Sequence, residues 1–189
     1  VLIRIPIILI LGDADLEYEW EILVNNLVNH GTLSYTSFDG YLLPNLWMSP
    51  LYAYYLYFFS FFNLEHQNYI LLILSSQILL SSISIAVFYK INKLFFSHNI
   101  SFYSSLLFSL FPLYAYACGQ ISSISLQTFL TILFFYFFFK FIDKKNFFSV
   151  ILFSFTAGLL ILLRGEFWVI FVLSLLYLFI FFKIPIKSI

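Results

Sequence analysis

Residues 12–51 read GDADLEYEWEILVNNLVNHGTLSYTSFDGYLLPNLWMSPL, and this stretch holds six of the nine acidic residues of the chain. It contains no lysine or arginine, although it lies between two strongly apolar segments. Charged side chains are costly to place in hydrocarbon without partners. We therefore expect this acidic stretch to lie outside the lipid, as a loop at a membrane surface, with the rest of the chain arranged around it.

The composition of the chain indicates a membrane protein. Hydrophobic residues make up 62% of the sequence and aromatic residues 23%, whereas only 10% of residues are charged. So few polar residues do not cover the surface of a soluble domain. We predict an all-α fold, in which residues 1–189 form a single polytopic transmembrane helical bundle embedded in membrane lipids. There is no basic patch, so no nucleic acid is expected as a partner.

Uncharged runs predict the individual membrane helices, because a helix that crosses ~30 Å of hydrocarbon needs about 20 apolar residues. The first run is about half that length, so the chain is expected to be the N-terminal part of a longer protein, cut within its first transmembrane helix. In the long run after Ser101 a break is expected between Pro112 and Ser125, where proline, glycine and serine cluster. The predicted membrane helices cover residues 1–11, 69–89, 101–118, 121–142, 146–163 and 167–183.

The positions of the basic residues predict the orientation, since cytoplasmic loops are enriched in lysine and arginine. These residues fall into separate groups, at Arg4, at Lys90 and Lys93, at Lys140, Lys144 and Lys145, and at Lys183 and Lys187. With these groups in the cytoplasm, residues 12–68 form an extracytoplasmic loop of a multi-pass protein, which we assign to a bacterial plasma membrane. Residues 51–62 are too short to span, so they are expected to stay outside as an interfacial or re-entrant helix.

Within the acidic stretch, residues 13–30 have the pattern of an amphipathic helix. Apolar residues recur at spacings of four, three and four, at Leu16, Trp20, Leu23 and Leu27. The opposite face carries Asp13, Glu17 and Glu21. Asp13 or Asp15 is expected to cap the start of this helix, and Gly31 to end it. Residues 31–50 are predicted to be a loop.

The acids at the start of this stretch are candidates for chemistry, because no lysine or arginine lies near them in the sequence. A divalent cation held by Asp13, Asp15 and Glu17 could balance their charge, and so could a cationic or hydroxyl-bearing substrate. A carboxylate of this kind can also act as the general base for a hydroxyl nucleophile. The alternative is that the acids form a solvated helix face with no chemical role.

Arg164 and Glu166 separate the last two apolar runs. Either these runs are two short spans, or both charges lie inside one continuous helix and face a polar cavity. The guanidinium of Arg164 suits a pair of phosphate oxygens, although a salt bridge with Glu166 or contact with the interface would explain it equally. The predicted orientation puts Arg164 on the same side as the acidic stretch, so we assign them to one site. His30, His66 and His98 show no ligand spacing and are expected to be surface residues.

Three groups of residues together resemble a known family. Asp15 and Tyr18 precede a segment that reads NNLVNHG at residues 25–31, and Ser49-Pro50-Leu51-Tyr52 opens a later helix. A Phe111-Pro112 bend precedes a glycine-containing helix that ends in Arg164-Gly165-Glu166. In order and spacing this pattern resembles the polytopic glycosyltransferases of the GT-C fold, which include protein O-mannosyltransferases and aminoarabinose transferases.

The resemblance implies transfer of a sugar, with inversion, from a polyprenyl-phosphate donor to a lipid, glycan or protein acceptor on the outer face. It implies Asp15 as the catalytic base, with Asp13 as the alternative, and Arg164 as a ligand of the donor phosphate. Residues that would line the substrate site are Tyr52, Glu17, Tyr18 and Glu166. The sequence departs from the family pattern at Leu16, where many relatives have glutamate, and at Ser49, where they often have proline.

Three functions follow as hypotheses from these residues. The first is the glycosyltransferase, of which this part of the chain is expected to be inactive alone. The second is a transporter or flippase-like protein in which Arg164 and Glu166 line a path at mid-depth. The third is a non-catalytic membrane scaffold whose acidic loop meets a partner.

Overall fold

A computed structural model describes residues 4–38, 41–44 and 48–182, and within these ranges the chain is nearly all-α. Asp39, Lys183 and Lys187 lie outside the described residues. The elements in chain order are α1 (Arg4–Leu11), α2 (Tyr18–His30), β1 (Ser34–Phe38), β2 (Tyr41–Pro44), α3 (Pro50–Ser60), α4 (His66–Phe95), α5 (His98–Leu110), α6 (Pro112–Ala117), α7 (Ile124–Lys144), α8 (Phe147–Leu163), a 3-10 turn (Gly165–Phe167) and α9 (Trp168–Phe182).

Among the described helices, two are long and apolar enough to cross a membrane, α4 and residues Ile124–Asp143 of α7. At 30 residues α4 measures about 45 Å, which exceeds the hydrocarbon core of a bilayer. The segments Phe147–Leu163 and Gly165–Phe181 are apolar but shorter. The expected span at 69–89 lies inside α4, which is longer at both ends.

The expected helix at 101–118 is divided in two. Phe111 takes an extended conformation between α5 and α6. Pro112 follows it, and proline disfavours a helical conformation in the residue before it and has no N–H to continue the helix. A turn at residues 118–123 then leads into α7, so the chain changes direction between Pro112 and Ser125.

The packing of aromatic rings shows how the long helices run. Phe134 of α7 lies 4.8 Å from Phe153 of α8, between ring centroids, in an antiparallel hairpin. Phe95 of α4 lies 5.0 Å from Phe139 of α7, near the C-terminal ends of both helices. Ser81 of α4 and Ser125 at the start of α7 line one cavity, so the two helices also meet at this earlier point. Since both contacts follow in the same chain order, α4 and α7 run in the same direction. The first roughly 15 residues of α4, about 22 Å, therefore extend past the start of α7.

Helix α3 packs against the half of α4 that extends past α7, α2 packs against α3, and the β-hairpin packs against α2. We call α2, β1, β2 and α3 the cap. The apolar face predicted for α2 is confirmed, because Trp20, Leu23 and Leu27 are buried and Leu16 packs against them. The hydroxyl of Tyr69 in α4 donates to the carbonyl oxygen of Leu56 in α3 at 3.1 Å. The cap and the ends of the long helices share one apolar core.

The expectation of a loop at residues 31–50 is wrong, since this segment contains an antiparallel β-hairpin. Ser34 pairs with Pro44 and Phe38 with Tyr41. The side-chain amide of Asn26 in α2 donates to the carbonyl oxygen of Ser34 at 2.8 Å, which ties the first strand to the helix. Gly31 ends α2 as predicted, at φ 66° in the left-handed region, where glycine carries no steric penalty.

Candidate acidic site

Asp13 is engaged by the backbone of the turn between α6 and α7. Its Oδ2 accepts a hydrogen bond from the backbone N–H of Ile121 at 2.6 Å, and its own N–H donates to the carbonyl oxygen of Gly119 at 2.9 Å. The side chain of Gln120 donates to the carbonyl oxygen of Leu11 at 2.8 Å. These bonds fasten the end of α1 to the turn, so the carboxylate of Asp13 has a structural partner.

The expectation that Asp13 or Asp15 caps α2 is wrong. The helix begins at Tyr18, its N-cap is Glu17, and no side-chain hydrogen bond is made at that cap. Residues 12–17 leave the helical path because both aspartates contact distant parts of the chain instead. Glu17 and Tyr18 are exposed at the helix start.

Asp15 contacts His66, the first residue of α4. Its Oδ1 lies 2.9 Å from the Nε2 of His66, and the side chains are 79% and 55% exposed, respectively. An exposed ion pair of this kind contributes only ~0–1 kcal/mol to stability. The carboxylate is therefore accessible to a ligand, and the imidazole beside it can orient it or share a proton with it.

His66 lies at the surface, as predicted, but its contact with Asp15 could not be foreseen. The two residues are separated by 51 positions, and no ligand spacing connects them. The contact depends on the length of α4 beyond the start of α7, which brings its first residue up to the acidic segment. Part of the negative charge at Asp15 is thus balanced by a histidine of the same chain when that histidine is protonated.

Tyr52 lies in the core of the cap, next to these acids. Its side chain is fully buried, with an edge-on contact to Trp20 at 4.8 Å and a stacked contact to Tyr55 at 5.5 Å between ring centroids. Burial raises the pKa of Tyr52 well above 10.0, and the nearby Tyr55, Tyr69, Asp13 and Glu17 raise it further. Its hydroxyl has no hydrogen-bond partner among the described residues. A buried hydroxyl in this state is costly to the folded protein while it is unpaired.

Arg164 and Glu166 lie at the end of α8. The helix stops at Leu163, Arg164 is extended at φ −149°, and the 3-10 turn and α9 follow. The two charges therefore separate two helices and do not lie inside a continuous one. Nη1 of Arg164 is 3.5 Å from Oε1 of Glu166, and the side chains are 45% and 69% exposed.

Asp15 and Arg164 have different partners in the structure. Because α8 is antiparallel to α7, Arg164 lies beside the first turn of α7, whereas Asp15 lies beside the first residue of α4. Among the described residues no ion pair joins the two. Nor does the described part of the chain contain a group of three or more histidine, cysteine, aspartate or glutamate side chains placed to hold a metal ion, including Asp13, Asp15 and Glu17.

Arg4 was grouped with the lysines as a charge of the cytoplasmic side, whereas the structure places its side chain inside the helix bundle. Its side chain is 1% exposed, and its Nε donates to the Oγ of Ser81 at 2.7 Å, halfway along α4. The sequence shows only a charge near the start of an apolar run. Its burial depends on how α1 packs against α4 and α6.

These features define a class: a nearly all-α protein with two helices able to cross a membrane and an exposed Asp–His pair at the capped end of the longer one. In comparisons with known proteins, no family model, no curated protein and no solved structure matches this chain. The resemblance to the GT-C glycosyltransferases accordingly stays a prediction from its motifs.

Proposed function

We propose that this chain belongs to a polytopic membrane glycosyltransferase that moves a sugar from a polyprenyl-phosphate donor to an acceptor on the extracytoplasmic face. The observation that carries the proposal is the difference between the two aspartates. Asp13 is occupied by the backbone of a turn, whereas Asp15 is exposed and its one polar contact within the described ranges is to the imidazole of His66. Asp15 therefore has a free carboxylate oxygen for an acceptor hydroxyl.

In the proposed reaction, the carboxylate of Asp15 takes the proton of the acceptor hydroxyl. The acceptor oxygen then bonds to the anomeric carbon, and the bond from that carbon to the phosphate oxygen breaks with inversion. Polyprenyl phosphate leaves with the electron pair of that bond. A cationic side chain near the leaving oxygens, for which Arg164 is the candidate, stabilises the charge that develops there.

Tyr52 and His66 have supporting roles in this proposal. His66 fixes the orientation of the Asp15 carboxylate through the 2.9 Å contact. The buried hydroxyl of Tyr52, which has no partner within residues 4–38, 41–44 and 48–182, donates to a sugar hydroxyl or a phosphate oxygen once substrate binding opens a path to it. Hydrogen bonds made only when substrate is bound add affinity, because a buried donor is costly while it is unpaired.

The distribution of charge supports an orientation for the two long helices. Lys90 and Lys93 lie near the C-terminal end of α4, and Lys140 and Lys145 lie at the C-terminal end of α7, which points the same way. Asp13, Asp15 and most of the acids of α2 lie toward the opposite end. By the positive-inside rule, the lysine end is cytoplasmic and the acidic end is outside.

The transporter hypothesis requires Arg164 and Glu166 in a mid-depth cavity, whereas both are partly exposed at a helix end. The scaffold hypothesis requires that the acids have no chemical role. Substitutions of these acids therefore distinguish the enzyme hypothesis from the scaffold hypothesis.

The test uses the full-length protein in native membranes and measures transfer of a labelled sugar from a polyprenyl-phosphate donor. Asp15→Asn is expected to lower the rate by about 10²- to 10⁴-fold, because the amide cannot accept the proton, while expression is unchanged. The matched control is Glu19→Gln, the same charge change on an exposed acid of α2. An Asp15→Asn protein that transfers at the normal rate rejects the proposal, and tolerance of every such change between Asp13 and Glu21 supports the scaffold.

A further inference from the structure

The lysine side chains that the structure describes gather at one end of the two long helices. They are Lys90 and Lys93 near the end of α4, and Lys140 and Lys145 at the end of α7. The rings of Phe95 and Phe139, 5.0 Å apart between centroids, hold these two helix ends together. Lys93 and Lys140 each lie within two residues of that contact, which is about 3 Å along a helix axis. The two helices therefore present their lysines on the same end of the bundle.

Aromatic rings order two of these ammonium groups. Nζ of Lys93 lies 5.9 Å from the centroid of the Tyr89 ring, and Nζ of Lys140 lies 5.4 Å from that of Tyr136. A cation over an aromatic face is attracted by the ring electrons. The hydroxyl of Tyr89 is in turn 2.8 Å from Nδ1 of His98, the first residue of α5. The ammonium groups are thus held at the protein surface and keep their N–H donors for a ligand.

The positive charge at the lysine end is not balanced by carboxylates. Neither of the ion pairs found in residues 4–38, 41–44 and 48–182 includes a lysine. Asp143 is an exposed acid of this end, and the lysines outnumber it. Asp15 and the glutamates of α2 lie toward the opposite end, with the cap. The charge of the lysine end therefore fits an anionic partner.

An exposed apolar face begins next to the lysines, on α5. This helix runs back along α4, since Phe108 lies 4.8 Å from Phe88 between ring centroids. Its exposed face carries residues at helical spacings of three and four, namely Ile100, Tyr103 and Leu107. Residues 67–89 of α4 carry no charge, and about 20 apolar residues cross ~30 Å of hydrocarbon. With α4 across a membrane, the lysines lie at headgroup level and the exposed face of α5 lies beside the acyl chains.

We propose that the lysine end binds the headgroup of an anionic phospholipid, whose acyl chains lie along the exposed face of α5. The phosphodiester supplies the negative charge that this end lacks. Lysines beside a membrane helix attract anionic headgroups, and each changes the affinity about fivefold. A soluble phosphate would meet the lysines but would leave the apolar face uncovered. The proposal rests on α4 and α7 crossing a membrane, and it does not depend on the glycosyltransferase proposal.

The experiment measures thermal unfolding of the full-length protein in detergent at low ionic strength. Phosphatidylglycerol and phosphatidylcholine with the same acyl chains are titrated in mixed micelles. Phosphatidylglycerol is expected to reach half of its effect on the melting temperature at a mole fraction about tenfold lower or less, because a ligand that binds only the folded state stabilises it. This difference is expected to shrink in 1 M salt, where the Debye length is about 3 Å. Equal effects of the two lipids overturn the proposal, and so does stabilisation by inorganic phosphate that matches phosphatidylglycerol.

Variants of opposite charge locate the site. Lys93→Gln and Lys140→Gln are each expected to weaken the binding of phosphatidylglycerol about fivefold, whereas Lys93→Arg keeps the charge and the affinity. Asp143→Asn removes a negative charge beside the lysines and is expected to strengthen binding by a similar factor.

The matched control is Glu19→Gln, which makes the same charge change as Asp143→Asn at the opposite end of the protein and is expected to leave binding unchanged. The proposal is overturned if both lysine-to-glutamine variants bind phosphatidylglycerol like the parent. It is equally overturned if Glu19→Gln strengthens binding as much as Asp143→Asn does, because net charge and not the lysine end would then decide the affinity.

Discussion

Asp13 and Ile121 are joined across 108 residues by a 2.6 Å hydrogen bond from the backbone N–H of Ile121 to the carboxylate of Asp13. Asp15, two positions later, makes its contact with a solvent-exposed histidine instead. Neighbouring carboxylates of one acidic segment therefore differ, since Asp13 holds two parts of the fold together and Asp15 is exposed. This difference can be tested. Substitution of Asp13 is expected to lower the stability of the fold, whereas substitution of Asp15 is expected to lower the rate of the proposed sugar transfer.

Asp13→Ala is expected to lower the free energy of unfolding by about 1–3 kcal/mol, because it leaves the N–H of Ile121 without its acceptor. Asp15→Ala removes only an exposed ion pair and is expected to change it by less than ~1 kcal/mol. Denaturant unfolding in detergent compares the two. Asp13→Asn, which keeps a carbonyl oxygen at the same position, is expected to lie between them. Equal losses for Asp13→Ala and Asp15→Ala would contradict the assignment.

The helical part of this fold follows from local properties of the sequence. Uncharged runs predict α4, α7, α8 and α9, and the spacing of Trp20, Leu23 and Leu27 predicts the buried face of α2. Gly31 predicts where α2 ends, because glycine adopts the left-handed conformation at no cost. The hairpin formed by residues 34–38 and 41–44 was missed. Serine and proline in this segment favour turns, so the segment was interpreted as a loop.

The site could be predicted less well, because its contacts join residues far apart in the chain. The acids of residues 13–17 look alike in the sequence, and only the turn at Gly119 and the start of α4 distinguish Asp13 from Asp15. The contact to His66 depends on how far α4 extends beyond its neighbours, and the burial of Arg4 depends on how α1 packs against α4 and α6. No pattern within a window of 20 residues contains that information.

Tyr52→Phe separates stability from substrate binding. In the free protein the hydroxyl of Tyr52 is buried and finds no partner in the part of the chain that the structure describes, so its removal is expected to leave stability unchanged or to raise it by up to ~1–3 kcal/mol. In the proposed enzyme the same change removes a donor to the substrate, so kcat/KM for transfer is expected to fall. Thermal unfolding and transfer assays on the same preparation test both effects. A loss of stability together with unchanged transfer would show that the hydroxyl has a structural partner.

The alkaline stability of the cap is expected to depend on Tyr55. Burial raises the pKa of this phenol from 10.0 to about 12, although its hydrogen bond with Ser76 acts in the opposite direction. The folded state therefore retains a proton that the unfolded chain loses near pH 10. This contribution is complete below pH 10 and is lost as the pH rises through about 12.

In Tyr55→Phe the fall in unfolding free energy between pH 10 and 12 is expected to be smaller than in the parent protein. Unfolding by denaturant at a series of alkaline pH values provides the measurement. Tyr18→Phe is the control, because Tyr18 is exposed and its surroundings change little on unfolding. Parallel curves for the parent and Tyr55→Phe would show that the phenol of Tyr55 is not buried in solution.

The proposed orientation predicts that the cap is accessible from outside the cell and that the C-terminal end of α7 is accessible only from the cytoplasm. Cys118 is the single cysteine of the chain and is buried, so Cys118→Ala provides a background for labelling. In that background, Glu21→Cys on the exposed face of α2 is expected to react with a membrane-impermeant maleimide in intact cells. Lys145→Cys, in the turn between α7 and α8, is expected to react only after permeabilisation, because it lies at the lysine end. Lys90→Cys serves as a second reporter of that end and is expected to behave like Lys145→Cys.

Labelling of both ends in intact cells would exclude a membrane crossing between them. The reverse pattern would place the Asp15–His66 pair in the cytoplasm, where it could not act on an extracytoplasmic acceptor.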